Sequence, residues 1–346
     1  MLLNTDYKMY TKILANRLRE VTPKLIHKDQ AGFMPKQSIY DQTKIVELML
    51  RWSKNANCKG AIICLNQEKA YNRIDLNYLW KALQAFNFPE TFITRVHNLY
   101  TKALMAVRLN GFVSELFDIR RGAQQGDPMS CLLYNLAIEP LMESIRSSPP
   151  GRFPGNEGLT RVLIKVYADD TTVFLSPQDD PKDLQRCLDT FCGASTACFN
   201  DTKMEIILMG PTHLRNELIQ SREFNRWKFD NKIHIAQEGE AAQILDSWQG
   251  NGIDIQDKWN EILERQMKTM KHWNHLYPSV AGQVMIAKML VVSLAQYLMM
   301  VNGISNKNLT TMEKNIRCFI WKGKKGQLAW ERAILPVKKG AYVPQA

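Results

Sequence analysis

The sequence predicts an α+β fold, and three observations predict it. Short apolar runs bounded by glycines and turn dipeptides alternate with helical spacing between about residues 60 and 215. Helical periodicity alone fills the stretch after Trp259. The 346 residues are 45% hydrophobic with 18 Gly and 14 Pro, a composition that can bury a large core and excludes disordered and collagen-like chains. At roughly 150 residues per domain, two or three folding units are expected. The sequence has no internal repeat and no low-complexity tract.

Each element follows from local pattern. Tyr10, Ile13, Leu14, Leu18 and Val21 recur at spacings of three and four, so an amphipathic helix is expected before Pro23. Asp29-Gln30-Ala31-Gly32-Phe33-Met34-Pro35 reads as a loop, and Asp41 to Trp52 returns to helical spacing through Ile45, Leu48, Met49 and Trp52. Gly60-Ala61-Ile62-Ile63-Cys64-Leu65 has the continuous apolar character of a strand buried on both faces. A helix is expected from about Tyr71 to Phe86. Leu104 to Leu109 and Phe112 to Ile119 flank Asn110-Gly111, the dipeptide that type I′ hairpin turns favour. Asp127-Pro128 can open a helix, with Asp as cap, and Pro140 should bend or end it. Val162 to Tyr167 and Thr171 to Leu175 form a strand pair around Ala168-Asp169-Asp170, and Asp179-Asp180 before Pro181 reads as a turn and helix cap. Asn, Gln and Glu are dense over residues 210–255, where a domain boundary is drawn.

The charge is unevenly placed. Of 45 Lys+Arg and 34 Asp+Glu, net +11, residues 1–60 carry a net +6 and residues 256–346 a net +9, leaving 61–255 at −4. Basic ends around an acidic centre suit a chain that grips a polyanion at its ends and holds carboxylates for metal chemistry between them, although solvated helix faces give the same count. Aromatic and basic residues interleave in Phe319-Ile320-Trp321-Lys322-Gly323-Lys324-Lys325, which points this segment toward phosphate contact. Seven cysteines, with no C-x-x-C pair, read as free thiols in a reducing compartment, and the first residues lack the form of a secretory signal. An intracellular chain, in nucleus or cytoplasm, is expected. Val280 to Ile304 is apolar, but Lys288, Gln283 and Gln296 interrupt it, so a buried amphipathic helix is expected and no membrane contact. His272 and His275 have no Cys or acidic partner at metal-ligand spacing and read as surface or core residues.

Asp169 and Asp170 are the chemical candidates. Two adjacent carboxylates on a tight connection between apolar strands can bind hard divalent cations such as Mg²⁺, with Mn²⁺ as substitute, and a pair of such ions can activate an attacking hydroxyl and stabilise a leaving oxygen. A solvated turn is the other reading of the pair.

The company of that pair decides more. Leu2-Leu3-Asn4-Thr5-Asp6-Tyr7-Lys8, Asp29-Gln30-Ala31-Gly32-Phe33, Gln67-Glu68-Lys69-Ala70-Tyr71, Gln125-Gly126-Asp127-Pro128-Met129-Ser130 with Tyr134-Asn135-Leu136, Tyr167-Ala168-Asp169-Asp170, and Phe199-Asn200 before Lys203-Met204-Glu205-Ile206 follow one another in order. In this order they resemble the reverse transcriptases of LINE-type, non-long-terminal-repeat retrotransposons, and the tail, with Gly282-Gln283-Val284 and Ala329-Trp330-Glu331-Arg332, is similar to that family's thumb. The resemblance implies a right-hand polymerase fold: fingers over 1–60, a palm with an antiparallel sheet and inserted fingers elements over 61–215, a connector over 216–255, and a helical thumb over 256–346. It implies RNA-directed DNA polymerase activity by two-metal nucleotidyl transfer to a primer 3′-hydroxyl, with an RNA template, a DNA primer and deoxynucleoside triphosphates as partners. Asp169 and Asp170 match the metal carboxylates, Tyr71 the aromatic gate against the ribose 2′-hydroxyl, Gln125 and Gly126 the loop that packs on the incoming nucleotide, and Lys203 a basic residue near the pyrophosphate. Tyr71 as a core residue and Lys203 as a surface charge remain open readings.

The sequence departs from the family at informative places. Asn66 stands where the family carries a third metal aspartate, Asn72 replaces a second aspartate and Gln124 an arginine; Asp-to-Asn and Arg-to-Gln are the products of G-to-A transitions. Asn66 keeps a carbonyl acceptor without the negative charge, so weakened catalysis in a decayed or truncated copy is expected, with Glu68 or Asp75 as conceivable substitutes. The alternative is a catalytically inactive module that binds RNA or an RNA–DNA duplex.

Overall fold

The computed structural model describes residues 3–101, 103–119, 121–147, 164–225, 227–324 and 326. Val162-Leu163, Lys325 and Ala329-Trp330-Glu331-Arg332 lie outside them. The chain divides into two compact units, Met1–Leu245 and Asp246–Ala346.

The first unit is built on one mainly antiparallel sheet. Its strands are β1 (Gly60–Leu65), β2 (Ile164–Tyr167), β3 (Asp170–Leu175), β4 (Glu205–Met209) and β5 (His234–Ala236), in the spatial order β5-β4-β1-β3-β2. β1 is central and pairs antiparallel on both sides, with Leu65 opposite Thr171 and Cys64 opposite Glu205. Both faces of β1 are therefore covered, as its unbroken apolar run requires. Ile62, Phe174, Ile207 and Met209 face Val46 and Leu50 of helix α2 (Ile39–Asn55). Ile63, Val173 and Ile206 join the larger core, made by α1 (Thr5–Leu25), α3 (Leu76–Ala85), α4 (Glu90–Thr101), α5 (Ser130–Ser147) and α6 (Pro181–Ser195). β4 is followed by α7 (Thr212–Ser221).

Several expectations shift in detail. α1 runs through Pro23 to Leu25, and its buried stripe is Thr11, Leu14, Ala15, Leu18 and Thr22, leaving Tyr10, Ile13 and Val21 exposed. The helix expected from Tyr71 to Phe86 breaks in two. A single turn, Ala70–Arg73, ends at Ile74, and Asp75 then caps α3 by accepting from the Tyr78 amide at 2.9 Å. α5 passes through Pro140 to Ser147, and twelve of its residues are buried, so tertiary packing outweighs the missing hydrogen bond. α5 begins only at Ser130, so Asp127, whose Oδ1 accepts from the Met129 amide at 3.0 Å and whose carbonyl accepts from the Ser130 amide at 3.1 Å, closes the turn before the helix and does not stand at its cap. Asn110 and Gly111 both take positive φ, 49° and 88°, as a type I′ turn demands, and Asp180 caps α6 by accepting from the Lys182 amide at 2.9 Å. The stretch 216–255 holds the short strands Glu223–Phe224, Trp227–Lys228, β5, Ala242–Ile244 and Ser247–Gln249, each too brief to show alternation in sequence.

The second unit contains α8 (Gln256–Asn274), α9 (Val280–Asn302) and α10 (Asn306–Ile320). α9 is long and apolar enough to cross a membrane by length and composition, which is also true of a core helix in a helical bundle. It buries Gln283, Ala287, Val291, Ala295, Leu298 and Val301 and exposes Met285, Met289 and Met300. Its middle, Ala287–Val292, is π-helical, and buried Gln266 donates from Nε2 to the Val291 carbonyl at 2.8 Å. Gln283 likewise donates to the Phe319 carbonyl of α10 at 2.9 Å.

One glycine contact links fold to site. The Gly122 amide donates to the Ile74 carbonyl at 2.9 Å and the Ala123 amide to the Tyr71 carbonyl at 2.7 Å, zipping the loop before α5 onto the segment after β1. Gly122 has φ +84°, and a Cβ there would lie 2.7 Å from the Asn72 Cα. Gly122→Ala is expected to cost about 2 kcal/mol through strain and clash, read as a lower urea midpoint at unchanged slope.

Candidate active site

The site is assembled at the end of β1 and the turn between β2 and β3. Tyr167 pairs with Asp170, so Ala168 and Asp169 form a two-residue loop in which Ala168 takes φ 58°. Asp169 is half-buried and Asp170 exposed, as expected for carboxylates presented at the lip of a sheet. Burial pushes the Asp169 carboxyl above the usual range, and among the described residues it makes no ion pair. Because Leu65 lies opposite Thr171, the same register carries Asn66 alongside Asp170.

Asn66, Asp170, Thr202, Lys203 and Glu205 line one cavity of about 350 Å³. Lys203 enters it from a 3-10 turn, Asp201–Lys203, that Asn200 caps by accepting from the Thr202 amide at 3.1 Å. The Asn200 amide in turn donates to the Asn66 carbonyl at 2.8 Å, fixing the turn against the end of β1. Lys203 is exposed, so its cation is available to a ligand in the cavity.

Tyr71 stacks on Tyr134 at 4.4 Å between ring centroids, and the Tyr134 hydroxyl donates to Gln67 Oε1 at 2.7 Å. Burial, then the Cys131 thiol and then the charges of Asp169 and Asp170 raise the Tyr71 hydroxyl well above the usual phenol range. Tyr71 is thus packed against the core and also stands in the field of the acidic pair. Gln125 and Gly126 are exposed on the loop that Gly122 and Ala123 hold to Tyr71. They do not line the cavity that Asn66 and Asp170 share.

Glu68 and Asp75, the acids nearest to Asn66 in sequence, are engaged elsewhere. Glu68 pairs with Arg73 at 2.7 Å, and Asp75 caps α3. The sequence assigns Asp127 only a capping role and Glu205 none. Asp127 is buried and accepts from the Tyr100 hydroxyl at 3.1 Å and the Tyr7 hydroxyl at 3.4 Å, and burial raises its carboxyl. Glu205 lies opposite Cys64 in the cavity wall, and its carboxyl is also raised by burial. Only strand register, which follows from knowing which strands pair, places Glu205 there. Gln124 is buried, its carbonyl accepting from Ser130 Oγ at 2.6 Å. Among the described residues no group of three or more His, Cys, Asp or Glu could hold a metal, and His272 packs by its ring against Trp273.

Residues 1–245 match the family model for reverse transcriptase (RNA-dependent DNA polymerase). The chain belongs to the reverse transcriptase family. It is similar to a 149 kDa protein of transposon TX1 from Xenopus laevis, 27% identical over 342 residues, covering 98% of this chain and 25% of that protein. It is also similar to the Pol polyprotein of the type-2 retrotransposable element R2DM from Drosophila melanogaster, 30% identical over 145 residues, 42% of this chain and 13% of that protein. These relatives are consistent with a LINE-type reverse transcriptase, and the chain spans a quarter or less of their length. Among solved structures, Candida albicans telomerase in complex with a fragment of telomeric RNA matches 90% of this chain and 52% of its own at 11% identity and a TM-score of 0.43.

Asp169 carries a stability cost in this member of the reverse transcriptase family. Its folded-state pKa is raised, so the folded protein retains a proton that the unfolded chain has already lost. Stability therefore falls as pH rises from the unfolded carboxylate value through the folded one. Asp169→Asn is expected to melt higher than the parent at pH 7, with the gap closing as pH drops to about 4, the unperturbed carboxylate value. Differential scanning calorimetry across pH checks this, and an equal or lower melting temperature at pH 7 contradicts it.

Proposed function

We propose that this chain is the reverse transcriptase core of a LINE-type retrotransposon, which extends a DNA primer on an RNA template from deoxynucleoside triphosphates and is weakened in this copy by Asn66. One observation carries the proposal: β1 and β3 bring Asn66 beside Asp170, with Asp169 on the adjoining turn and Tyr71 in the field of both acids. In this reading residues 1–60 are fingers, 61–215 palm, 216–255 connector and 256–346 thumb. The seven free cysteines support an intracellular location, nucleus or cytoplasm, and no role at a membrane is assigned.

The donor set fits a hard divalent ion. Mg²⁺ is held by one or two carboxylates and completes its shell with water and substrate phosphates; Asp169 and Asp170 supply two carboxylates, and the raised Asp169 carboxyl is stabilised as an anion by a nearby cation. Mg²⁺, or Mn²⁺ in its place, supplies when bound the positive charge that phosphoryl transfer demands. The chain's own residues do the rest. Tyr71, held by its stack on Tyr134, walls the sugar position against a 2′-hydroxyl; Lys203 offers a cation to the pyrophosphate; Gln125 and Gly126 cover the incoming nucleotide. Asn66 adds an oxygen acceptor and no charge, so one carboxylate of the family's three is lacking. That same substitution favours a second reading, an inactive module that holds RNA or RNA–DNA duplex.

Primer extension on an RNA template separates the two. Asn66→Asp is expected to raise extension about tenfold or more over the chain as given, one carboxylate in a charge-stabilising site being worth at least that. Asp169→Ala is expected to abolish it. No extension in either the parent or Asn66→Asp, with RNA binding that weakens steeply with salt, selects the binding module.

A further inference from the structure

We infer that Gln30 is a positioning residue that sets the orientation of the Asp169-Asp170 turn. The inference rests on reading that turn as the catalytic one. Gln30 is 0% exposed, and one carboxamide serves three backbone groups. Its Oε1 accepts from the Ala168 amide at 2.9 Å and from the Gly32 amide at 2.8 Å, and its Nε2 donates to the Ala168 carbonyl at 3.2 Å. These bonds grip both peptide planes that flank Ala168. The plane carrying the Ala168 carbonyl is the one that joins Ala168 to Asp169, so rotating it swings the Asp169 carboxylate.

The turn needs such a grip. Ala168 sits at φ 58°, a conformation that costs a non-glycine residue free energy, and it is buried, so an amide or carbonyl left unpaired there adds a desolvation penalty. The segment that delivers Gln30 is itself fixed. The Val166 amide donates to the Asp29 carbonyl at 2.9 Å and the Ala31 amide to the Val166 carbonyl at 2.8 Å, laying residues 29–31 along β2. Lys165 pairs with Asp29 at 2.6 Å, and Asn135 Nδ2 donates to the Gly32 carbonyl at 2.7 Å. Gly32 approaches so closely that a Cβ would lie 2.2 Å from the Ala168 nitrogen. No side chain of the 29–32 segment other than Gln30 hydrogen-bonds the turn among the described residues.

Gln30→Met preserves bulk and removes all three bonds; Gln30→Glu retains the acceptor and loses the donor to the Ala168 carbonyl. Both are made in the full chain carrying Asn66→Asp. Gln30→Met is expected to lower kcat by on the order of 10²-fold while nucleotide KM and primer–template Kd move less than about threefold, since misplacement of a reacting group is paid in the chemical step. Gln30→Glu is expected to fall between. Amide exchange at Ala168 and Asp169 is expected to accelerate by on the order of tenfold or more in Gln30→Met, with β1 and β4 at the parental rate. Unchanged kcat, or exchange that accelerates equally across the whole sheet, overturns the inference. If Gln30→Met does not fold, Gln30→Glu carries the same comparison. If the Asn66→Asp parent itself extends no primer, the polymerase reading falls, and local exchange at the turn still decides what Gln30 does.

Discussion

The pairing of β1 with β3 is the constraint on which the site depends. Leu65 opposite Thr171 fixes where the end of one strand meets the start of the other, and a slip of one residue would send every side chain of β1 to the opposite face. Such a slip is opposed from both sides at once, because Ile62 belongs to the cluster under α2 while Ile63 belongs to the larger helical core. A strand buried on both faces has no tolerant register. The cost of ordering the sheet is thus met by apolar burial far from the chemistry, and the carboxylates can stay at the lip, Asp169 half-buried and Asp170 exposed, where they contribute no packing.

Around that pair of strands the polar machinery is arranged by backbone hydrogen bonds more than by side-chain contacts. Asn200 ties the Lys203 turn to Asn66, Ala123 ties the Gln125–Gly126 loop to Tyr71, and Gln30 ties an early segment of the chain to Ala168. Each tie joins residues distant in sequence and uses main-chain groups of the residue it holds. The Asn200 bond uses the Asn66 main chain and not its side chain, so it does not depend on which side chain residue 66 carries. A change of side chain at residue 66 would alter the charge of the cavity without touching the bond that shapes it.

Burial acts twice in this architecture. It raises the carboxyls of Asp127, Asp169 and Glu205 and the hydroxyl of Tyr71, all within one small region of the first unit. Such a region resists gathering more negative charge unless a cation accompanies it.

The sequence by itself determined the central strand, the Asn110-Gly111 turn, the Asp180 cap, the acid-bearing hairpin and the reverse transcriptase family, because each is a local pattern or an ordered set of short motifs. It misjudged α1, whose Tyr10, Ile13 and Val21 share helical spacing with the buried residues yet lie on the solvent side, since periodicity names faces without saying which one the core covers. It also ran one helix from about Tyr71 into α3, where Asp75 and the neighbouring loop impose a break. Only tertiary structure decided that Asn66, Asp170, Lys203 and Glu205 share a wall, and that Gln30 reaches Ala168 across 138 positions of sequence. Those contacts depend on which strands pair and in what register, and that choice is made by burial summed over the whole unit.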